Sequence, residues 1–146
     1  MDVRQVADRL EINALLHAYA RAVDGKDWLA YRSLFTEDAH IDYSSAGAIA
    51  GGRDEVSDWL AQGFGQIPMS MHYITNIEIL EQTGDTATVR AMFYNPMLLP
   101  GMTELSYCGG YYHHDLVRTP EGWRSRRLRE ENVWFVNPPD MSSGAQ

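Results

Sequence analysis

Tyr19, Asp24 and His72 are the residues of this chain whose types fit one another chemically. A carboxylate that holds one nitrogen of an imidazole fixes its tautomer and stabilises the imidazolium as it forms, leaving the other nitrogen to accept a proton. A tyrosine beside such a pair can donate to an oxygen gaining charge or to a leaving hydroxyl. Acid–base catalysis of this kind is worth roughly 10²–10⁴-fold, which suits elimination or isomerisation at an already acidified carbon. Nothing else competes for the role. His113 and His114 are adjacent and cannot readily both ligate a metal from a regular strand, and there is no H-E-x-x-H or cysteine cluster. Gly51-Gly52 precedes a helix and could meet an anion, but no lysine or dinucleotide fingerprint accompanies it.

The elements that must position these groups follow from hydrophobic spacing. Val3, Val6, Ala7, Leu10, Ala14, Leu15, Ala18, Tyr19, Ala22 and Val23 recur three and four apart, one face of a helix over residues 3–23. Gly25 is placed to stop it, and Asp27 to cap a second helix through Trp28, Leu29, Tyr31, Leu34 and Phe35. Asp24 then sits where helical carbonyls point outward. A carboxylate gains nothing there, so it should be exposed or held by a donor such as histidine. Residues 39–43 read as a strand and 53–64 as a third helix, with Asp54 and Glu55 in its favourable first turn. Extended runs follow at 69–80, 86–94, 105–117 and 123–133, with turns at Thr83-Gly84-Asp85 and Pro120-Glu121-Gly122. Helices first and an antiparallel meander last is the α+β arrangement. No linker divides the chain, so 1–136 reads as one domain and 137–146 as a flexible tail.

Period-two alternation puts His72, Ile74 and Asn76 on one strand face. On its own such a histidine is more often a packed structural residue than a base, and its company is what points to chemistry. Gly109-Gly110 weakens its strand but lets a ligand or helix approach the backbone. Either the row Tyr107, Gly109, Tyr111, His113 or the row Cys108, Gly110, Tyr112, His114 can line a cavity. Phe93 and Asn95 share a face, and residues 96–100 form an apolar rim. In the charged run 124–132, Arg127 and Arg129 share a face and could hold a guanidinium over the cavity. Val133–Val136 is an apolar cluster suited to the core or to contact with another subunit.

The net charge of −8 argues against nucleic acid and anionic membrane as partners, since both want a basic patch. The single cysteine, Cys108, excludes an internal disulfide framework and fits a buried thiol in a reducing compartment. No apolar run approaches the ~18 residues of a membrane span, and the expected location is cytoplasmic.

Tyr19, Asp24 and His72 in this order, with the closing Gly109-Gly110-Tyr111-Tyr112 and Gly122-Trp123-Arg124 patterns, resemble the SnoaL-like branch of the NTF2-like superfamily over about residues 5–135. Closest in pattern are scytalone dehydratase, bile-acid 7α-dehydratase and hexachlorocyclohexane dehydrochlorinase. The resemblance implies a cone: a strongly curved mixed sheet wrapped around three N-terminal helices and enclosing a pocket. It implies that Asp24 and His72 form the dyad that removes a proton from carbon, and that Tyr19 matches a helix tyrosine. Asn95 falls where the bile-acid enzyme has an aspartate, a departure that weakens an acid role there. Arg127 or Arg129 would correspond to a last-strand arginine. Also implied are a hydrophobic small-molecule substrate, neither metal nor organic cofactor, and a homo-oligomer, with a trimer favoured over a dimer.

The expected function is a cofactor-independent, dehydratase-type lyase acting on a hydrophobic cyclic small molecule, with Asn95, Tyr111, Tyr112, Phe93, Arg127 and Arg129 as substrate-binding residues. The alternatives are an isomerase like ketosteroid isomerase, a polyketide cyclase, or a non-catalytic binding or assembly subunit. In that last case His72 would lie beyond about 3.5 Å from Asp24, or side chains would fill the pocket.

Overall fold

Asp2 starts the first helix through a capping box: its carboxylate accepts from the Gln5 backbone, and the Gln5 side chain accepts from the Asp2 backbone. The computed structural model describes residues 1–139. The remainder of the expected tail, 140–146, lies outside the described residues. Helix α1 (Val3–Asp24) buries Ile12, Leu15, Leu16, Tyr19, Ala22 and Val23. Its first turns depart from the expected stripe, because Val3, Val6 and Leu10 are exposed and Asp8 is buried in their stead. Arg118 reaches both Asp8 oxygens at 2.8 and 2.9 Å, and Trp123 Nε1 and Gln82 Nε2 donate to the same carboxylate. A buried ion pair with every lone pair engaged thus outranks three aliphatic side chains in setting the helix face.

Asp27 caps the short helix α2 (Trp28–Ser33), and the first strand, β1 (Phe35–Asp42), follows directly. Strand β2 (Ala50–Gly52) leads into α3 (Arg53–Gly63), and then come β3 (Met69–Ser70), β4 (Tyr73–Thr83), β5 (Thr86–Leu98), β6 (Ser106–Thr119) and β7 (Gly122–Val136). The strands form one mixed sheet in the order β2-β1-β7-β6-β5-β3, with β4 also paired to β5. Only β1 and β7 run parallel.

The α+β class and the mixed sheet agree with expectation, but the expected cone does not. Two helices, not three, precede the first strand, and α3 arrives after β2. The sheet is an open path, neither closed nor strongly curled, and its end strands do not pair with each other. The edges explain this. A three-residue β2 and a two-residue β3 present too little backbone to close a ladder, and short edge strands are a common way of ending a sheet.

Two irregularities in the β3–β4 edge matter for the site. Met71 N donates to Pro96 O, but Pro96 has no N–H to return, so the ladder is interrupted at Met71-His72. Farther on, Asn76 adopts φ 51° at a bulge between Thr75 and Glu78, which ends the predicted alternation and brings Ile77 in toward the core. The glycine pair on β6 serves a close approach of a different kind from that expected. A Cβ on Gly109 would stand 2.5 Å from the Trp134 ring, and one on Gly110 1.9 Å from the Glu131 carbonyl oxygen, so a bulged β7 fills that space. Among the described residues, no helix is long and apolar enough to cross a membrane.

Candidate active site

Asp24 is the last residue of α1, where the helix dipole disfavours a carboxylate, and donors from the broken sheet edge hold it. His72 gives two of them: its backbone N–H donates to Oδ2 and its ring Nδ1 bonds to Oδ1, each at 2.6 Å. In the alternation of an antiparallel ladder Met71 turns its N–H toward β5, so the next amide, that of His72, points off the sheet's edge, where it meets the end of α1. Ser70 Oγ lies 3.1 Å from Asp24 Oδ1 and also 3.1 Å from Asn95 Oδ1, and its one proton serves either of them at a time. Burial pushes the Asp24 carboxyl up, but the bonds from His72, its charge and Ser70 outweigh this and hold it below the ordinary value. With Nδ1 committed to Asp24, Nε2 is the ring nitrogen left for a ligand. The His72 side chain is 5% exposed.

His72 opens onto a cavity of about 270 Å³ whose wall also includes Tyr19, Tyr43, Asn95, Tyr112 and Glu130. That is near the small end of ligand pockets, which run from about 300 to 1,000 Å³ and are mostly apolar. Val23, Leu60, Phe64, Ile67 and Leu99 make up the apolar part, so the 96–100 rim expected from the sequence contributes Leu99 and Met97.

Tyr19 does not stand alone. Its hydroxyl lies 2.7 Å from that of Tyr43, which in turn lies 2.8 Å from that of Tyr31. Burial raises all three phenols well above their ordinary range, so they stay protonated and can donate. The row on β6 that faces inward is Cys108 and Tyr112. Burial, then the nearby Glu130 charge, pushes the Cys108 thiol up to about 12, which keeps it protonated. His114, on the same row, lies deeper. Its Nδ1 pairs with Ser125 Oγ at 2.8 Å, and burial lowers its pKa to about 3, so it is neutral.

Several candidates lie elsewhere. Tyr111 is on the opposite sheet face, under the guanidinium of Arg90 at 5.4 Å. Phe93 is buried behind the cavity and stacks on Tyr112 at 4.4 Å. Arg127 and Arg129 are exposed and line no part of the cavity, because a bulge at Arg126 resets the strand so that Leu128 and Glu130 point inward. Glu130 and Tyr43 were not singled out by sequence reasoning. For Glu130 a signal existed: Leu128 is the one aliphatic residue in the run 124–132, and its parity marks the inward face. Among the described residues, no group of three His, Cys, Asp or Glu side chains is arranged to hold a metal ion.

The Asp24–His72 separation falls inside hydrogen-bonding range, and the cavity is not filled by side chains. Known proteins offer a comparison for the whole chain. An uncharacterized protein of Mycobacterium tuberculosis is 38% identical over 131 residues, 89% of this chain and 88% of that one. A candidate aromatic ring hydroxylase from Novosphingobium aromaticivorans is 30% identical with a TM-score of 0.83, covering 90% of this chain and 93% of that one. A hexachlorocyclohexane dehydrochlorinase superposes with a TM-score of 0.83 over 93% of this chain and 92% of its own, at 18% identity, a likeness of fold alone. The SnoaL-like domain profile matches residues 4–129, which take in Tyr19, Asp24, His72 and the whole sheet up to Arg129. By that match and by the mycobacterial relative, the chain belongs to the SnoaL-like domain family.

Proposed function

We propose that this protein is a cofactor-independent lyase that removes a proton from carbon in a small, hydrophobic, ring-bearing molecule. The observation that carries the reading is the 2.6 Å Asp24–His72 contact at the wall of a largely apolar cavity. His72 Nε2 takes the proton, and Asp24 keeps the ring oriented and stabilises the imidazolium. Tyr19, backed by Tyr43 and Tyr31, donates to the oxygen that leaves as hydroxide. Asn95 and Ser70 steady the dyad from the β5 side. Apolar walls exclude water and raise the effect of each of these charges.

The first half of this chemistry has a direct assay. A panel of one- and two-ring β-hydroxy ketones and enones is incubated in D2O and followed by NMR. At least one member should exchange the proton next to its carbonyl, or lose water, faster with the protein than without it. A panel that stays inert with the wild-type chain, while still binding in the cavity, would overturn the lyase reading in favour of a binding role.

We further propose that the protein assembles as a homo-oligomer, a trimer in the first instance. Tyr73, Met92, Tyr94 and Trp134 form an exposed apolar stretch on the sheet, with Tyr73 against Tyr94 and Tyr94 stacked on Trp134. Light scattering after size exclusion should give three times the 16.5 kDa chain mass, and a monomer would refute the assembly.

A further inference from the structure

Glu130 is a buried carboxyl in the cavity wall that the dyad leaves unused. It enters the cavity from β7 and is 9% exposed. Among the described residues, its Oε1 has no hydrogen-bond partner. A buried carboxyl oxygen in that state costs free energy unless something polar comes to it. The cavity is where such a group can come from.

The neighbours of Glu130 decide which form it takes. Asp42 on β1 is of like sign, and Tyr19 on α1, Tyr43 just after β1, and Tyr112 and Cys108 on β6 are neutral. Neither lysine nor arginine lines this cavity among the described residues. Burial first, and the Asp42 charge second, raise the carboxyl to about 7. A neutral carboxyl has a proton to donate, whereas a carboxylate only accepts.

Position adds the rest. Glu130 is on β7 and His72 at the β3–β4 edge, with β6 and β5 between them. Three strand spacings, about 14 Å, and a register offset of four residues, from Tyr112 opposite Glu130 to Cys108 in the row of His72, about 13 Å, separate their backbones, and both side chains reach into the same cavity from its two ends.

We infer that Glu130, as a neutral carboxylic acid, donates a hydrogen bond to a carbonyl oxygen of the bound molecule, across the cavity from His72. The substrate class is then a ring ketone or enone whose acidic carbon and oxygen belong to one conjugated system. His72 Nε2 takes the proton, and the C–H electron pair becomes a C=C bond. The carbonyl π pair moves onto oxygen, where the Glu130 proton meets it. The inference rests on the proposed lyase reading only for the place of the reacting carbon.

The test uses 1-tetralone, an acceptor-only aromatic ketone, and the hydrocarbon tetralin, with binding to the full chain measured by calorimetry at about pH 5.5 and about pH 8.5, either side of the Glu130 transition. The wild-type chain should prefer the ketone by about fivefold or more at the lower pH and lose that preference at the higher. Glu130→Gln should keep the preference at both, because an amide N–H donates regardless of pH, and its unchanged His72 makes it the control for dyad titration. Glu130→Met should show no preference at either pH, and His72→Ala should behave as wild type.

Thermal melts add a second readout. A raised folded-state pKa means that the stability is fully present below about 4.5 and is lost as pH rises through about 7, so the melting temperature of Glu130→Gln should gain on that of wild type from the lower pH to the higher. A wild-type ketone preference that ignores pH, or one that survives in Glu130→Met, would overturn the inference. Loss of the preference in His72→Ala alone would do so too, placing the oxygen at the dyad and leaving the proton-abstraction reading standing.

Discussion

Replacing His72 by alanine will lower kcat for the proton-transfer step by about 100-fold or more while leaving ligand affinity within a few-fold of wild type. In the proposed mechanism Nε2 acts on the C–H proton only in the transition state, whereas most of the cavity wall that a ligand would touch is apolar. Asp24→Asn should cost more than the loss of one charge suggests. The asparagine amide cannot accept from both the His72 amide and ring Nδ1, which Asp24 does through two oxygens at 2.6 Å each. Its N–H2 would face one of those donors, turning the ring or forcing the other tautomer, and losses on the order of 10³–10⁴-fold attend such a change in comparable triads. Rates of deuterium entry at the acidic carbon, measured for both variants beside wild type, check the pair. Turnover unchanged in His72→Ala would remove it as the base.

The second large effect is on stability, at the other end of α1. Asp8→Asn should destabilise the fold by about 1–3 kcal/mol, because one amide oxygen must serve the donors of Arg118, Trp123 and Gln82 that two carboxylate oxygens now share, while Arg118 keeps only Asp85 as a charged partner. For a chain of this size that lowers Tm by roughly 3–10 °C. The pH dependence carries its own sign. The Arg118 hydrogen bonds hold Asp8 well below the ordinary carboxylate range despite its burial, so the folded pKa is depressed. Stability from this group is fully present above about 3.9 and is lost as pH falls toward the lowered folded value. The gap in Tm between wild type and Asp8→Asn should therefore hold at neutral pH and close on strong acidification, which a calorimetric series reads directly. A gap that stays constant to the lowest pH would mean that Asp8 acts through shape alone.

How far each element could be read from sequence depended on how local its cause is. Asp27 capping α2, the acidic first turn of α3 and the turn at Gly84 are short-range matters, and they fall where expected. So does the third helix, read at 53–64 after the first strand and found at Arg53–Gly63, whereas the N-terminal trio of helices implied by the family resemblance is overturned. Strand faces were less legible. Alternation holds along β5, where Val89, Ala91, Phe93 and Asn95 are all buried, but fails in β4 at Asn76 and in β7 at Arg126. A bulge inserts one residue and inverts every face beyond it. This is why Arg127 and Arg129, a sound pair by counting, point outward and Glu130 points in.

By itself, the sequence determined which groups could do chemistry and that something must hold Asp24, because a carboxylate ending a helix needs donors from elsewhere. Only the tertiary structure decided which donors these are. The His72 amide reaches Asp24 because it points off the edge of the sheet where α1 ends, and Tyr43, the residue after β1, joins Tyr19 on α1 to Tyr31 on α2. Hydrogen bonds and cavity walls form between residues far apart in the chain, and their geometry depends on register, which no local spacing encodes.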